Sequence, residues 1–264
     1  MSSLRAELHL TYLIDEINHR FGAVFWPVVI FLSLLVIWEV AVPVFEIPSY
    51  LLPPPSEIFV ALLNSYPTIF GELKITLAVF APAYLGTIVT GYLLGLLMSQ
   101  WKVMETTLYP YVIIARAIPV VALIPIIIIW FGFGQNSIIL ISYLISFFAM
   151  VVNSLAGFKS ADDELLNMLR SFSANRRELF WNVYVYASLP LVFAGLKICV
   201  ILAFTGVIVG EFLIGMQGIG YLIMEYNYRL ATAEMFAGIL VISLTQLLLF
   251  AAVVVLERRV VTWE

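Results

Sequence analysis

Two histidines and one cysteine are all that 264 residues offer to metal or redox chemistry. His9 and His19 lie in the polar opening stretch and Cys199 in an apolar run, so neither a ligand cluster nor a disulfide framework can be built from them. Cys199 reads as a small buried hydrophobe. No G-x-x-x-x-G-K-[S/T] loop occurs, so the chain carries no P-loop for nucleotide phosphates. The stretch GMQGIG, residues 215–220, lacks the spacing of G-x-G-x-x-G and follows no strand, so it is not a dinucleotide loop. What remains is a handful of polar groups set among apolar neighbours: Arg116, Asn153, Lys197 and Glu211. Their chemistry is binding, pairing and passage rather than bond making.

The composition says what surrounds them. The chain is 63% hydrophobic and 11% charged, with a mean hydropathy of +1.06, against about 25% charged in an ordinary soluble domain. This is an all-α integral membrane protein. Apolar runs of roughly 20 residues predict six transmembrane helices, over residues 24–43, 75–98, 109–131, 138–157, 191–214 and 235–256. The first twenty residues are too polar for a signal peptide and no small-residue cleavage site follows, so the first span is expected to stay as an anchor. Residues 1–23 place Leu10, Leu13, Ile14, Ile17 and Phe21 at helical spacing and read as an amphipathic helix on the inner membrane surface. EIPSYLLPPPSEIF, after the first span, is rich in proline and is expected to be an extended external connector.

Orientation follows from the cations. With the N-terminus inside, Arg5, Arg20, Lys102, Lys159, Arg170, Arg176, Arg177, Arg258 and Arg259 are internal, and only Lys74 and Arg229 are external. Both termini are therefore expected in the cytoplasm, together with a polar insert over residues 160–188 between spans four and five.

The insert reads as two short helices. Ser160 with Asp163 three residues on resembles a capping box, and Asp162, Asp163 and Glu164 suit a helix start. Leu165, Met168, Leu169 and Phe172 then form an apolar stripe. Asn175 with Glu178 marks a second start, followed by Leu179, Phe180, Val183 and Tyr184, and Pro190 is expected to end the pattern and open the fifth span. Two helices this short need a surface to bury against, either the protein's own membrane domain or a cytoplasmic partner.

LLNMLRSFSANRRELFWNVYVYASLPLVFAGLKI resembles the coupling segment of binding-protein-dependent ABC transporter permeases. RAIPVVALIPIIIIWFGFG, NSLAGFKSADDELLNMLRS, VGEFLIGMQGIGYLI and the early LPPPSEIFVAL are similar, in order and spacing, to the nitrate, sulfonate and taurine branch of that family. The resemblance covers roughly residues 48–259, and it implies a permease domain over residues 24–259 with a cytoplasmic tail at 260–264. It implies a transport subunit rather than an enzyme, in a bacterial inner membrane. ATP and Mg would be bound by two partner ATPase subunits, and this chain would hold no cofactor. It further implies a second permease chain, an extracytoplasmic substrate-binding protein and membrane lipids as partners, and no nucleic acid.

Asp163, Leu165, Leu166, Leu169, Arg170, Phe172, Ser173, Ala174, Asn175 and Arg176 would contact the ATPase. The family motif has glycine where this chain has Ser173, a residue less tolerant of positive φ. Gly215, Gly218 and Gly220 would form an external loop near the pathway mouth, where a binding protein could dock.

Ionisable groups inside a span cost about 2.5–3.5 kcal/mol at its centre, so each is a candidate. Glu211, Asn153 and Arg116 are the candidates for the translocation pathway. Glu211 admits two readings, lining the pathway or facing water at the interface. Asn153 could bond across helices, and Arg116 matches a basic position for which an inter-helix structural role is expected. Lys197 is expected to snorkel to the inner surface. The outer face carries Glu46, Glu57, Glu72, Glu225 and Glu234 against Lys74 and Arg229, a negative mouth that favours a neutral or cationic nutrient, such as a vitamin or pyrimidine precursor, over a sulfonate or nitrate. The alternative, an ion-gradient-driven secondary transporter, would place ionisable groups on broken midplane helices within internal repeats, and neither is evident.

Overall fold

The computed structural model describes residues 25–263; the amphipathic N-terminal segment expected over residues 1–23 lies outside them. The described residues form helices, linked by short turns: α1 (Phe25–Val44), α2 (Pro55–Gln100), α3 (Lys102–Ala117), α4 (Val120–Phe131), α5 (Gln135–Lys159), α6 (Asp163–Ser171), α7 (Arg176–Leu179), α8 (Val185–Ile214), α9 (Ile219–Tyr228) and α10 (Thr232–Val260). A π turn, Phe180–Tyr184, joins α7 to α8 without a break.

Five helices are long and apolar enough to cross a membrane. The third expected span, over residues 109–131, is not one straight rod. α3 and α4 meet at 95° across Ile118 and Pro119. The residue before a proline is pushed to extended backbone, and Ile118 adopts it at φ −76° and ψ 122°. Apolar content is continuous through this point, so hydropathy alone joined what the backbone separates.

α2 is far longer than expected. Its 46 residues reach about 69 Å at 1.5 Å per residue, more than twice the ~30 Å apolar layer. The proline-rich connector is not extended as expected: it turns at Pro48, whose carbonyl accepts from Leu51 N at 2.8 Å, runs extended at Pro54, and becomes helix at Pro55, where a missing N–H costs nothing. The Glu39 carboxylate on α1 serves this start from outside, accepting from Ser56 N at 2.9 Å and Ser56 Oγ at 2.6 Å.

The fifth span also starts earlier than expected. Pro190 does not open it; the helix runs continuously from Arg176 to Ile214, 39 residues, with Pro190 inside.

α5 is the centre of the bundle, gripped by α2 on one side and α8 on the other. Small residues set these approaches, as is usual between membrane helices. Cβ atoms at Gly91 and Gly95 of α2 would stand 2.7 and 2.6 Å from Met150 and Ser154 of α5; those at Gly206 and Gly210 of α8 would stand 2.8 and 2.9 Å from Ser142 and Ile138. Hydroxyls tie the same interfaces: Ser142 Oγ donates to Ala203 O at 2.7 Å, and Thr87 and Ser146 share a 2.7 Å bond. Cys199 is a free, buried thiol in this core. By contrast α1 is almost wholly exposed, with Trp38 edge-on to Phe236 of α10 as one of its few inward contacts.

Candidate functional site

The polar insert is a small structure with its own core. Ser160 does not cap α6; it ends α5, with its N–H on Gly157 O at 3.2 Å and its hydroxyl 2.9 Å from Ala187 O. The cap is Asp162, whose Oδ1 accepts from Glu164 N at 2.7 Å. Asp163 is the first residue of the helix, exposed beside the cap. One turn further, Leu166 is buried against Leu179 and Val183, with Leu169 and Ala174 packed around them.

The turn between the two helices is held by two backbone bonds, Ser173 N to Arg170 O at 3.0 Å and Ala174 N to Leu169 O at 3.1 Å. This is the Schellman arrangement, which asks for a left-handed residue, and Ser173 supplies it at φ +65°. The second start follows the expected capping box: Asn175 Oδ1 accepts from Glu178 N at 2.9 Å and Glu178 Oε2 accepts from Asn175 N at 2.8 Å.

The apolar stripe expected along α6 therefore divides. Of its four residues only Leu169 packs into the insert's own core, beside Leu166, which was not counted in the stripe, whereas Leu165, Met168 and Phe172 are 40%, 50% and 77% exposed. Arg170 bonds Asn167 Oδ1 at 3.2 Å, and Arg176 stands beside Trp101 and Phe180 in a shallow pocket of about 310 Å³. The result is a knob with an apolar tip and a flank of mixed charge.

The other end of the same continuous helix carries Glu211. It does not face water, being 1% exposed. Its Oε1 and Oε2 lie 2.8 and 3.0 Å from Thr76 Oγ1 on α2, and Oε2 accepts from Gly220 N at 2.8 Å. Thr76 Oγ1 accepts from Ile219 N at 2.9 Å, and Glu72 Oε2 accepts from Gly218 N at 2.6 Å. Three successive N–H groups at the start of α9 are thus met by side chains of α2 and α8. The first N–H groups of a helix have no carbonyl within it to bond, and its positive end favours carboxylates.

Gly215, Gly218 and Gly220 are glycines for the same reason. A Cβ at Gly215 would sit 2.5 Å from Glu211 O, one at Gly220 would sit 2.8 Å from Glu211 Cβ, and one at Gly218, which holds φ +101°, would overlap the Glu211 carboxylate. The loop is wrapped around one buried acid.

The other pathway candidates are not brought to it. Asn153 donates to Ala149 O of its own helix at 2.8 Å rather than across helices, although Gly195 of α8 packs against its Cβ. Arg116 lies exposed in the last turn of α3, just ahead of the bend, and among the described residues no ion pair reaches it. Lys197 does not snorkel alone: its Nζ meets Glu257 of α10 at 2.8 and 2.9 Å. Sequence reading missed Glu257, and it missed the α9 start as the place of Thr76 and of Glu72, which it counted only among the external charges. The last two are four apart on one helix face where the polar part of α2 gives way to an apolar run, which was the available signal. Among the described residues no group of three or more His, Cys, Asp or Glu is placed to hold a metal ion.

Residues 87–262 match the model of a family described as the binding-protein-dependent transport system inner membrane component. The chain is 35% identical to the formylaminopyrimidine transport permease of Halalkalibacterium halodurans, over 90% of this chain and 95% of that one. It is 32% identical to the riboflavin transport system permease of Chloroflexus aurantiacus, over 90% and 91%, and 28% identical to the taurine transport system permease of Escherichia coli, over 88% and 86%. Among solved structures, the inward-facing MetNI methionine ABC transporter shares the fold, with a TM-score of 0.62 at 19% identity over 72% of this chain and 95% of that one.

Proposed function

The chain belongs to the family of binding-protein-dependent transport system inner membrane components, the permeases of ABC importers, and we propose that it forms one half of the pathway for a small neutral or cationic nutrient. It is a multi-pass transport subunit, not an enzyme. Partner ATPases bind ATP and Mg in this reading, and two copies of this chain pair with two ATPases and a substrate-binding protein.

The observation that carries the coupling role is the knob: Leu165, Met168 and Phe172 are exposed above a core that the insert closes for itself. An apolar tip left uncovered by the described residues suits a cleft on an ATPase. Asp163, Arg170, Asn175 and Arg176 flank that tip, and Ser173 and Ala174 fix its angle. The excess of Lys and Arg around the insert supports a cytoplasmic position for it and for both termini. Gly215 to Gly220 then lie on the outer side, at the opposite end of α8, in a bacterial cytoplasmic membrane.

Substrate preference rests on relatives and on charge. The formylaminopyrimidine and riboflavin permeases are 35% and 32% identical, against 28% for the taurine permease. On the outer side Glu225 pairs with Arg229 and Glu72 is bound to Gly218, which leaves Glu46, Glu57 and Glu234 against Lys74. Glu211 is bound to the loop, so its part in the pathway is to shape the loop beside it. ATP-driven uptake into proteoliposomes carrying the whole complex tests the substrate class. Competition by a pyrimidine precursor or flavin, and none by taurine, supports this reading; competition by taurine alone contradicts it.

A further inference from the structure

The cap on α9 is built in an unusual way. Its N-cap residue, Gly218, has no side chain, so nothing local can serve the helix start, as Asn175 and Asp162 do for the two helices of the insert. All three acceptors come from elsewhere: Glu72 and Thr76 from α2, and Glu211 from α8. A helix capped by its own residues keeps its start wherever it moves. A helix capped by two others is complete only while those two hold their present separation. Thr76 is the pivot, because it touches the Glu211 carboxylate from α2 and receives the Ile219 N–H from α9. It is fully buried, and so is Glu211 at 1% exposure.

The acid at this junction belongs to the helix that also carries the insert. From Arg176 to Ile214 there are 39 residues without a break, about 58 Å of helix at 1.5 Å per residue. We infer that Glu72, Thr76 and Glu211 are positioning residues that fasten α9 and the glycine loop to the end of α8, so that a load placed on the loop is delivered along α8 to the insert. The inference rests on the permease reading, which sets a binding protein on one side and an ATPase on the other. Coupling of this kind is reciprocal: moving α8 against α2 opens the cap, and displacing the cap moves α8.

The test uses the whole complex in nanodiscs, with ATP hydrolysis measured before and after adding the binding protein recovered with the wild-type assembly. Thr76→Val keeps the shape and removes the hydroxyl, leaving Ile219 N–H and one Glu211 oxygen unsatisfied. The ratio of stimulated to basal hydrolysis should fall about tenfold or more, in line with two buried unmet groups, while Thr76→Ser restores it to within about twofold of wild type. If Thr76→Val does not assemble, Glu72→Ala, at a half-buried position, removes the Gly218 acceptor and should lower the same ratio. Wild-type stimulation in an assembled Thr76→Val or Glu72→Ala complex overturns the inference and leaves the permease reading standing. A wild-type chain that recruits no ATPase overturns the permease reading, and the inference falls with it.

Discussion

A Cβ on Gly218 would overlap the carboxylate of Glu211, and Gly218 holds its backbone at φ +101°. The two residues specify each other: the acid can be buried because the loop donates to it, and the loop can close because Gly215, Gly218 and Gly220 lack side chains where it meets Glu211. Gly218→Ala therefore fails twice. With ψ at 160°, this backbone is open essentially to glycine alone and costs a residue with a Cβ about 1–3 kcal/mol, and displacing the carboxylate leaves buried donors unmet at about 1–3 kcal/mol each. Thermal unfolding in detergent should show a clear loss. Gly71→Ala is the control, since Gly71 is helical with open space around it, and should be neutral or stabilising.

Leu165 and Leu166 are adjacent, yet the insert uses them oppositely. Leu166→Ala opens a cavity beside Leu179 and Val183 and should destabilise the insert by about 2 kcal/mol or more. Leu165→Ala, at an exposed site, should change stability by about 0.5 kcal/mol at most. Limited proteolysis of residues 160–184 reads the difference: faster cleavage for the first, a wild-type rate for the second.

Ser173 occupies a left-handed turn that favours glycine. Ser173→Gly should remove a conformational cost of about 1 kcal/mol and stabilise the insert, without altering transport. Ser173→Val adds a branched side chain at the same φ and should destabilise it. Hydrogen exchange at Ala174, whose N–H closes the turn on Leu169, should slow in the first variant and quicken in the second.

Much of this was legible locally and little of it at long range. The capping box at Asn175 and Glu178 was readable because its partners are three residues apart. The start of α6 was misplaced by two residues because Ser160, an equally good cap by type, is taken by the end of α5. Continuous apolarity hid the bend at Ile118 and Pro119, since hydropathy records composition and not direction. The cluster around Glu211 was out of reach for a plainer reason: Thr76 is 135 residues away in sequence, and nothing in the spacing of one chain reports that distance closing.

Lys197 and Glu257 join α8 to α10 near one end of the bundle, with side chains 27% and 22% exposed. Removing one partner leaves a charge poorly served by solvent. Lys197→Met should cost more than the double change Lys197→Met with Glu257→Gln, with a coupling of about 1 kcal/mol at this partial exposure. A double-mutant cycle on unfolding measures it. Purely additive effects would mean that the pair holds nothing together.

The most direct test of the account is a mild-detergent pull-down through a tag on this chain, run beside Phe172→Asp. Phe172 is the most exposed apolar side chain of the knob at 77%, and burying an unpaired carboxylate in an interface costs several kcal/mol. The account predicts an ATPase at equal copy number with the wild-type chain, a binding protein recovered beside it, and loss of the ATPase in the variant while the membrane part stays folded. A wild-type chain recovered alone, under conditions that keep ABC complexes intact, or an ATPase retained undiminished by Phe172→Asp, would contradict it.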